Sequence, residues 1–159
     1  MKIKVYLASG WFNPEQKKQM NEVYKVLKSL KDEGKIDLFA PFYDGVVLKK
    51  DDPHLRRKMK EVWQLDIDNV KSSELIVACT IDHDVGTIFE CGYASAINGT
   101  ILCYNSKPEH GLNLMLAQEA RGFVKNLKEL KSAVESFREA YIAGDEAKWV
   151  WNVWKGEPI

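Results

Sequence analysis

Residues 74–105 read ELIVACTIDHDVGTIFECGYASAINGTILCYN. "ELIVACT" is a continuous apolar run, the pattern of a strand covered on both faces. "TILCYN", residues 100–105, reads as another strand. Between them, residues 86–98 carry Ile88, Phe89, Cys91, Tyr93, Ala94, Ala96 and Ile97. These cover most of a helical circumference, which predicts a helix buried on nearly all sides. Strand, helix and strand in so short a space imply parallel strands joined by a helical crossover.

The same alternation extends outward. "KIKVYLAS", residues 2–9, is rich in β-branched and aromatic residues and predicts the first strand, stopped by Gly10. Residues 14–34 open with Pro14, carry Met20, Val23, Val26, Leu27 and Leu30 at helical spacing, and close at Gly34. "IDLFAP" predicts a second strand and "GVVLKKDDP" a polar loop. Residues 53–72 predict a helix burying Leu55, Met59, Val62, Trp63 and Val70. Beyond residue 105, the pattern predicts a short helix over 113–121 and a short fifth strand at "GFV". A last helix follows over 127–142, and the Trp-rich tail "KWVWNVWKG" is extended or irregular. The expected architecture is one α/β domain over residues 1–159, with a small, mainly parallel five-stranded sheet between helical layers. Ligands in such sheets sit at the carboxyl ends of the strands. The loops "SGWFNP", "TIDHDVG" and "NSKPEHGLN" are therefore the ones to inspect.

Composition narrows the function classes. The 159 residues suit one domain, and 45% apolar with 29% charged residues fits a soluble globular chain. Lys plus Arg equals Asp plus Glu, 23 each. A net charge of zero argues against a general nucleic-acid binder, whose affinity rests on counterion release. It also leaves self-association unopposed by charge. No apolar run approaches the roughly 18 residues of a membrane span. The N-terminal apolar stretch is too short and interrupted for a signal peptide. Cys79, Cys91 and Cys103 form no CxxC pair. Such spacing suggests reduced thiols and a cytoplasmic protein. Three scattered histidines make a His/Cys metal site unexpected.

Glu90 is the only charged side chain between Asp84 and Lys107. A carboxylate on so apolar a helix loses hydration, which raises its pKa or demands a partner. An ion pair with a distant Arg or Lys is one reading. A functional acid is the other, supported by its place at the ligand edge near a helix N-terminus. Asp84 stands at the mouth of the same helix, where it can cap the helix, serve the site, or both. Asp66 and Asp68, two apart on a helix, do not share a face, so at most one points to a pocket. Gly10, Trp11 and Phe12 follow strand one without the further glycines of a phosphate cradle. The aromatic pair suits stacking on a planar ring, or plain core packing. Cys91 adjoins Glu90, but no His is spaced to activate it, so it reads as an inert buried thiol. An acidic, aromatic edge repels phosphate and stabilises a developing cation. Cleavage of an N-glycosidic bond produces such a cation on the sugar.

At these residues the chain resembles the nucleoside 2-deoxyribosyltransferase family. Four pieces carry the resemblance: "YLASGWF", "WQLDIDNVKSSELIVA", "DVGTIFECGYA" and "LNLM" at 112–115. Asp-Val-Gly, the Glu six residues after the Asp, and Gly-Tyr-Ala make the third the most specific. The resemblance implies a flavodoxin-like fold and base exchange of 2'-deoxynucleosides through a deoxyribosyl ester on Glu90. It implies that Asp84 and Asp66 are acids at the base site and that Tyr6 orients the nucleophile. It implies that Asn113 and Met115 are lent to a neighbouring subunit's sugar site, in a hexamer built from dimers. It implies free purine or pyrimidine bases as partners and no metal or cofactor. The rival readings are an N-glycosidase hydrolysing 2'-deoxynucleosides or their 5'-monophosphates, a nucleoside-binding module without turnover, and a structural oligomerisation domain.

Overall fold

The computed structural model describes residues 1–107 and 111–153. Residues 108–110 of the third ligand-edge loop and 154–159 of the Trp-rich tail lie outside the described residues. Five strands form one parallel sheet: β1 Ile3–Ala8, β2 Ile36–Phe39, β3 Leu75–Cys79, β4 Thr100–Tyr104 and β5 Gly122–Val124. Their order is β2-β1-β3-β4-β5. This is the expected flavodoxin-like sandwich. From β1 the chain crosses to β2 on one side, and it returns to β3 on the other. The loops leaving β1 and β3 therefore splay apart and open a crevice at their carboxyl ends.

Among the described residues, six α-helices complete the layers: α1 Pro14–Asp32, α2 Pro41–Asp44, α3 Leu55–Ser72, α4 Val85–Ala96, α5 Leu114–Glu119 and α6 Leu127–Ile142. The side-chain alternation of a strand divides β1 between two cores. Ile3, Val5 and Leu7 face α1 and α6, joining Met20, Val23, Leu27, Leu30, Val134 and Phe137. Tyr6 and Ala8 face the opposite way, joining Val70 of α3, Cys91 and Ala94 of α4, and Leu116 and Ala117 of α5. Asn13 caps α1 by accepting a hydrogen bond from Gln16 N at 2.9 Å. Gly34 ends the α1 turn at φ 75°, a left-handed conformation that glycine adopts freely.

Three expectations are corrected. The helix α4 is not buried on nearly all sides: Thr87, Cys91 and Ala94 are buried, but Val85 is exposed and Phe89 is 55% exposed. In α3 only Ile67 and Val70 are buried, while Met59 and Trp63 remain 52% and 49% exposed. Apolar periodicity reports which face repels water, not whether the same chain covers it. The loop after β2 holds an unforeseen helical turn, α2, started by Pro41. The described part of the tail runs beside the sheet. Trp149 is buried edge-on against Phe137, with ring centroids 5.2 Å apart, and its Nε1 donates to Ser136 Oγ at 3.1 Å. Trp151 N donates to Arg121 O at 2.8 Å, and Phe123 N donates to Trp151 O at 3.0 Å.

Candidate active site

The fold brings two carboxylates, Glu90 and Asp66, toward one phenol, with Asp84 near Glu90. Tyr6, from the middle of β1, is fully buried and stacks on Phe39 with centroids 5.8 Å apart. Its neighbours include Glu90 of α4 and Asp66 of α3, whose negative charges add to burial in raising the Tyr6 pKa. The phenol therefore keeps its proton and can only donate to an anion. Glu90 is largely hidden, and its Oε2 is buried with no hydrogen-bond partner. Burial pushes its pKa up to about 8. The nearby phenol opposes that rise, while the charges of Asp66 and Asp84 add to it. Tyr6 and Glu90 are close enough to influence each other, yet the Tyr6 hydroxyl closes no full hydrogen bond. Asp66 repeats the pattern: its Oδ1 is buried and unpartnered, and burial raises its pKa to about 6.

Among the described residues, none of the ion pairs involves Glu90, Asp66 or Asp84. Among the described residues, then, the expected ion pair of Glu90 with a distant Arg or Lys does not form. The pair Asp66 and Asp68 splits as helical geometry requires: Asp68 is exposed and accepts from Gln64 Nε2 at 2.9 Å. Among the described residues no cluster of three His, Cys, Asp or Glu side chains is arranged to hold a metal ion.

Asp84 is the N-cap of α4. Its Oδ2 accepts from Thr87 N at 2.9 Å and from Thr87 Oγ1 at 3.0 Å. Capping holds the carboxylate at the crevice rather than removing it from the site. Gly10 allows its approach: a Cβ there would lie 2.9 Å from Asp84 Cβ and Cγ, and 2.6 Å from Gln16 Oε1. Trp11 packs partly into the core, while Phe12 is 73% exposed with its ring centroid 5.2 Å from that of Trp11. Phe42 of α2 adds a third ring, 5.6 Å from Trp11, with Lys17 Nζ above it. Sequence reasoning missed Phe42 because its helical turn is only four residues long, too short for any apolar period to show.

Two expected residues lie apart. Asn113 caps α5, accepting from Met115 N at 2.9 Å, and Met115 is 76% exposed. Both line a cavity of about 540 Å³ with Ile88, Cys91 and Ser95 of α4. Residues 88 and 90 are two apart, about 200° around a helix, so that cavity adjoins a different face of α4 from Glu90. A separate groove of about 720 Å³ between α1 and α6 touches none of the acids. Cys91 is buried and its thiol pKa is raised by burial, as an inert thiol requires.

The sequence pattern of the nucleoside 2-deoxyribosyltransferase family matches residues 5–136. The chain belongs to that family, and with it to the nucleoside-processing enzymes. No curated protein matches the sequence. Among solved structures, a 2-deoxyribosyltransferase from Bacillus psychrosaccharolyticus is similar at 22% identity and a TM-score of 0.64. The match covers 80% of this chain and 90% of that one. A conserved protein from Enterococcus faecalis V583 is 18% identical at a TM-score of 0.65, with 86% and 99% covered. The CMP N-glycosidase of Clostridium botulinum is 18% identical at 0.56, with 84% and 98% covered. At these identities the structures attest the shared fold. No helix among the described residues is long and apolar enough to cross a membrane.

Proposed function

We propose that this protein moves a 2-deoxyribosyl group from one nucleobase to another, with Glu90 as the nucleophile. The observation that carries the reading is the buried, unpartnered Glu90 oxygen beside the Tyr6 phenol, with no ion-pair partner among the described residues. Burial of this kind is costly, and a site that must attack a sugar carbon has a use for it.

In the first half-reaction, ionised Glu90 attacks C1' of a 2'-deoxynucleoside. The C1'–N bond breaks, its electron pair leaves with the base, and a deoxyribosyl ester forms. The departing base takes a proton held by Asp84 or Asp66. In the second half, a nitrogen of the incoming base attacks C1' and the ester C1'–O bond breaks. Its electron pair returns to Glu90, and the proton of the entering base goes back to the acid. Two inversions give net retention. Tyr6, held protonated, donates toward the Glu90 carboxylate and keeps it in line. In this reading Asp66 and Asp84 pass a proton to and from the base; burial raises the Asp66 pKa to about 6, which helps Asp66 take one up. Trp11, Phe12 and Gly10 form the stacking wall and close approach for the base.

In this reading the substrates are 2'-deoxynucleosides and free bases, and the role is deoxynucleoside salvage in the cytoplasm. Asn113 and Met115 serve the sugar site of a neighbouring subunit, in a hexamer of dimers. Their distance around α4 from this chain's Glu90, and the exposed Phe89 and Trp63 on the same side of the sheet, support that assembly. The test is incubation with deoxyinosine and free adenine, without phosphate. Deoxyadenosine is the expected product. Hypoxanthine with free deoxyribose and no deoxyadenosine assigns the protein to the hydrolases.

A further inference from the structure

Gln16 lies in the first turn of α1, where a polar side chain ordinarily faces water, yet it is 6% exposed. Its Oε1 accepts from Phe12 N at 3.0 Å. Its Nε2 donates to Asp82 Oδ2 at 3.3 Å, and Asn13 Nδ2 donates to the same oxygen at 2.7 Å. One carboxylate oxygen of the β3–α4 loop thus gathers two amides from the start of α1. Asp82 and His83 hold consecutive left-handed conformations, φ 60° and 44°. Such residues are strained, and the surrounding bonds must offset the strain. Gly10 lies between Gln16 Oε1 and the Asp84 side chain, in contact range of both.

We propose that Gln16 and Asp82 form a latch that sets the gap between the aromatic loop of Trp11 and Phe12 and the acid Asp84. The latch fixes the half of the site that grips the base, and this role rests on the transferase reading. Gln16 and Asp82 are positioning residues: they act through Phe12 and Asp84. The sugar half is held otherwise, by Tyr6 on a central strand and Glu90 in the body of α4. Releasing the latch therefore impairs capture of a base and spares attack on the ester by water.

The full chain is charged with deoxyinosine, and the ester is partitioned between added adenine and water. Gln16→Ala removes both bonds. Gln16→Glu keeps an acceptor for Phe12 N but sets a carboxylate against Asp82. Asp82→Asn keeps an acceptor oxygen and a side chain that tolerates left-handed φ. The ratio of transfer to hydrolysis falls about tenfold in both Gln16 variants, the worth of a lost hydrogen bond or two. It stays near the native ratio in Asp82→Asn, and the ester, once formed, is attacked by water at its native rate throughout. General damage to the fold lowers both fluxes and leaves the ratio unmoved. Amide hydrogen exchange needs no substrate: Phe12 N–H exchanges about tenfold faster in Gln16→Ala. An unchanged ratio in a variant whose Phe12 amide has been freed overturns the latch, as does a Phe12 amide that stays protected. If the native chain forms no deoxyribosyl ester, the transferase reading falls by itself. Adenine affinity by calorimetry then decides: a tenfold loss in Gln16→Ala upholds the latch, and equal affinity overturns it.

Discussion

The two faces of the sheet are built for different ends. The face under α1 and α6 is closed by large side chains, among them Leu27, Leu30, Val134 and Phe137, each almost fully buried. The face under α3, α4 and α5 uses Ala78, Cys91, Ala94, Ala117 and Ala120, and admits a phenol and unpaired carboxylates. Its outer helical surface leaves Met59, Trp63, Phe89 and Met115 in water. Burial on the first face stabilises the fold. On the second it raises the energy of ionised acids, which favours chemistry over stability.

The comparison breaks most visibly at Glu90. Glu90→Ala lowers base exchange by about a thousandfold or more, measured as deoxyadenosine formed from deoxyinosine. Mass analysis of a trapped native reaction is expected to find the sugar on the peptide bearing Glu90. On the opposite face, Phe137→Ala costs about 3–5 kcal/mol in urea unfolding, with turnover per folded molecule retained. Equal damage to stability from both substitutions would erase the distinction between the faces.

The faces also differ in their response to pH. Glu90 has a pKa of about 8 in the fold against 4.5 without it, and Asp66 about 6 against 3.8. Between each pair of values the folded chain holds a proton that the unfolded chain has released. Stability therefore falls as pH rises through those windows and levels off above them. Glu90→Gln cannot ionise. Its advantage over the native chain is absent at about pH 4 and reaches about 2 kcal/mol or more at about pH 8.5, read as a rise in Tm. A constant difference across that range contradicts the buried-acid account. The smallest effect expected is kinetic. In the proposed mechanism Glu90 attacks as the carboxylate, so kcat/KM climbs with pH toward the value of the coupled acids. Asp66→Asn removes one negative charge and moves that limb to lower pH, whatever it does to the maximum rate. A limb that stays in place separates Asp66 from the proton economy.

Much of this was legible in the sequence for physical reasons. Continuous apolar runs marked the central strands, and the parallel order followed from the helices between them. Glu90 stood out because it interrupted an apolar segment, and Asp84 because a cap must stand where a helix begins. The helical period showed that Asp66 and Asp68 cannot both face a pocket, and the family resemblance pointed to Asp66. Other features depend on contacts that no linear pattern displays. Met59 and Trp63 repeat at helical spacing whether their cover is this chain or another. Gln16 stands in the first turn of an amphipathic helix, and nothing in the linear pattern announces its inward turn. The left-handed turn at Asp82 and His83 carries no glycine to announce it. The aromatic wall joins Trp11 to Phe42 across two loops far apart in sequence.

Trp151 has a consequence for how copies of this chain can meet. By exchanging main-chain bonds with Arg121 and Phe123, it occupies the outer rim of β5. A foreign strand arriving there finds amides already engaged, so growth of the sheet from one molecule into the next is discouraged on that flank.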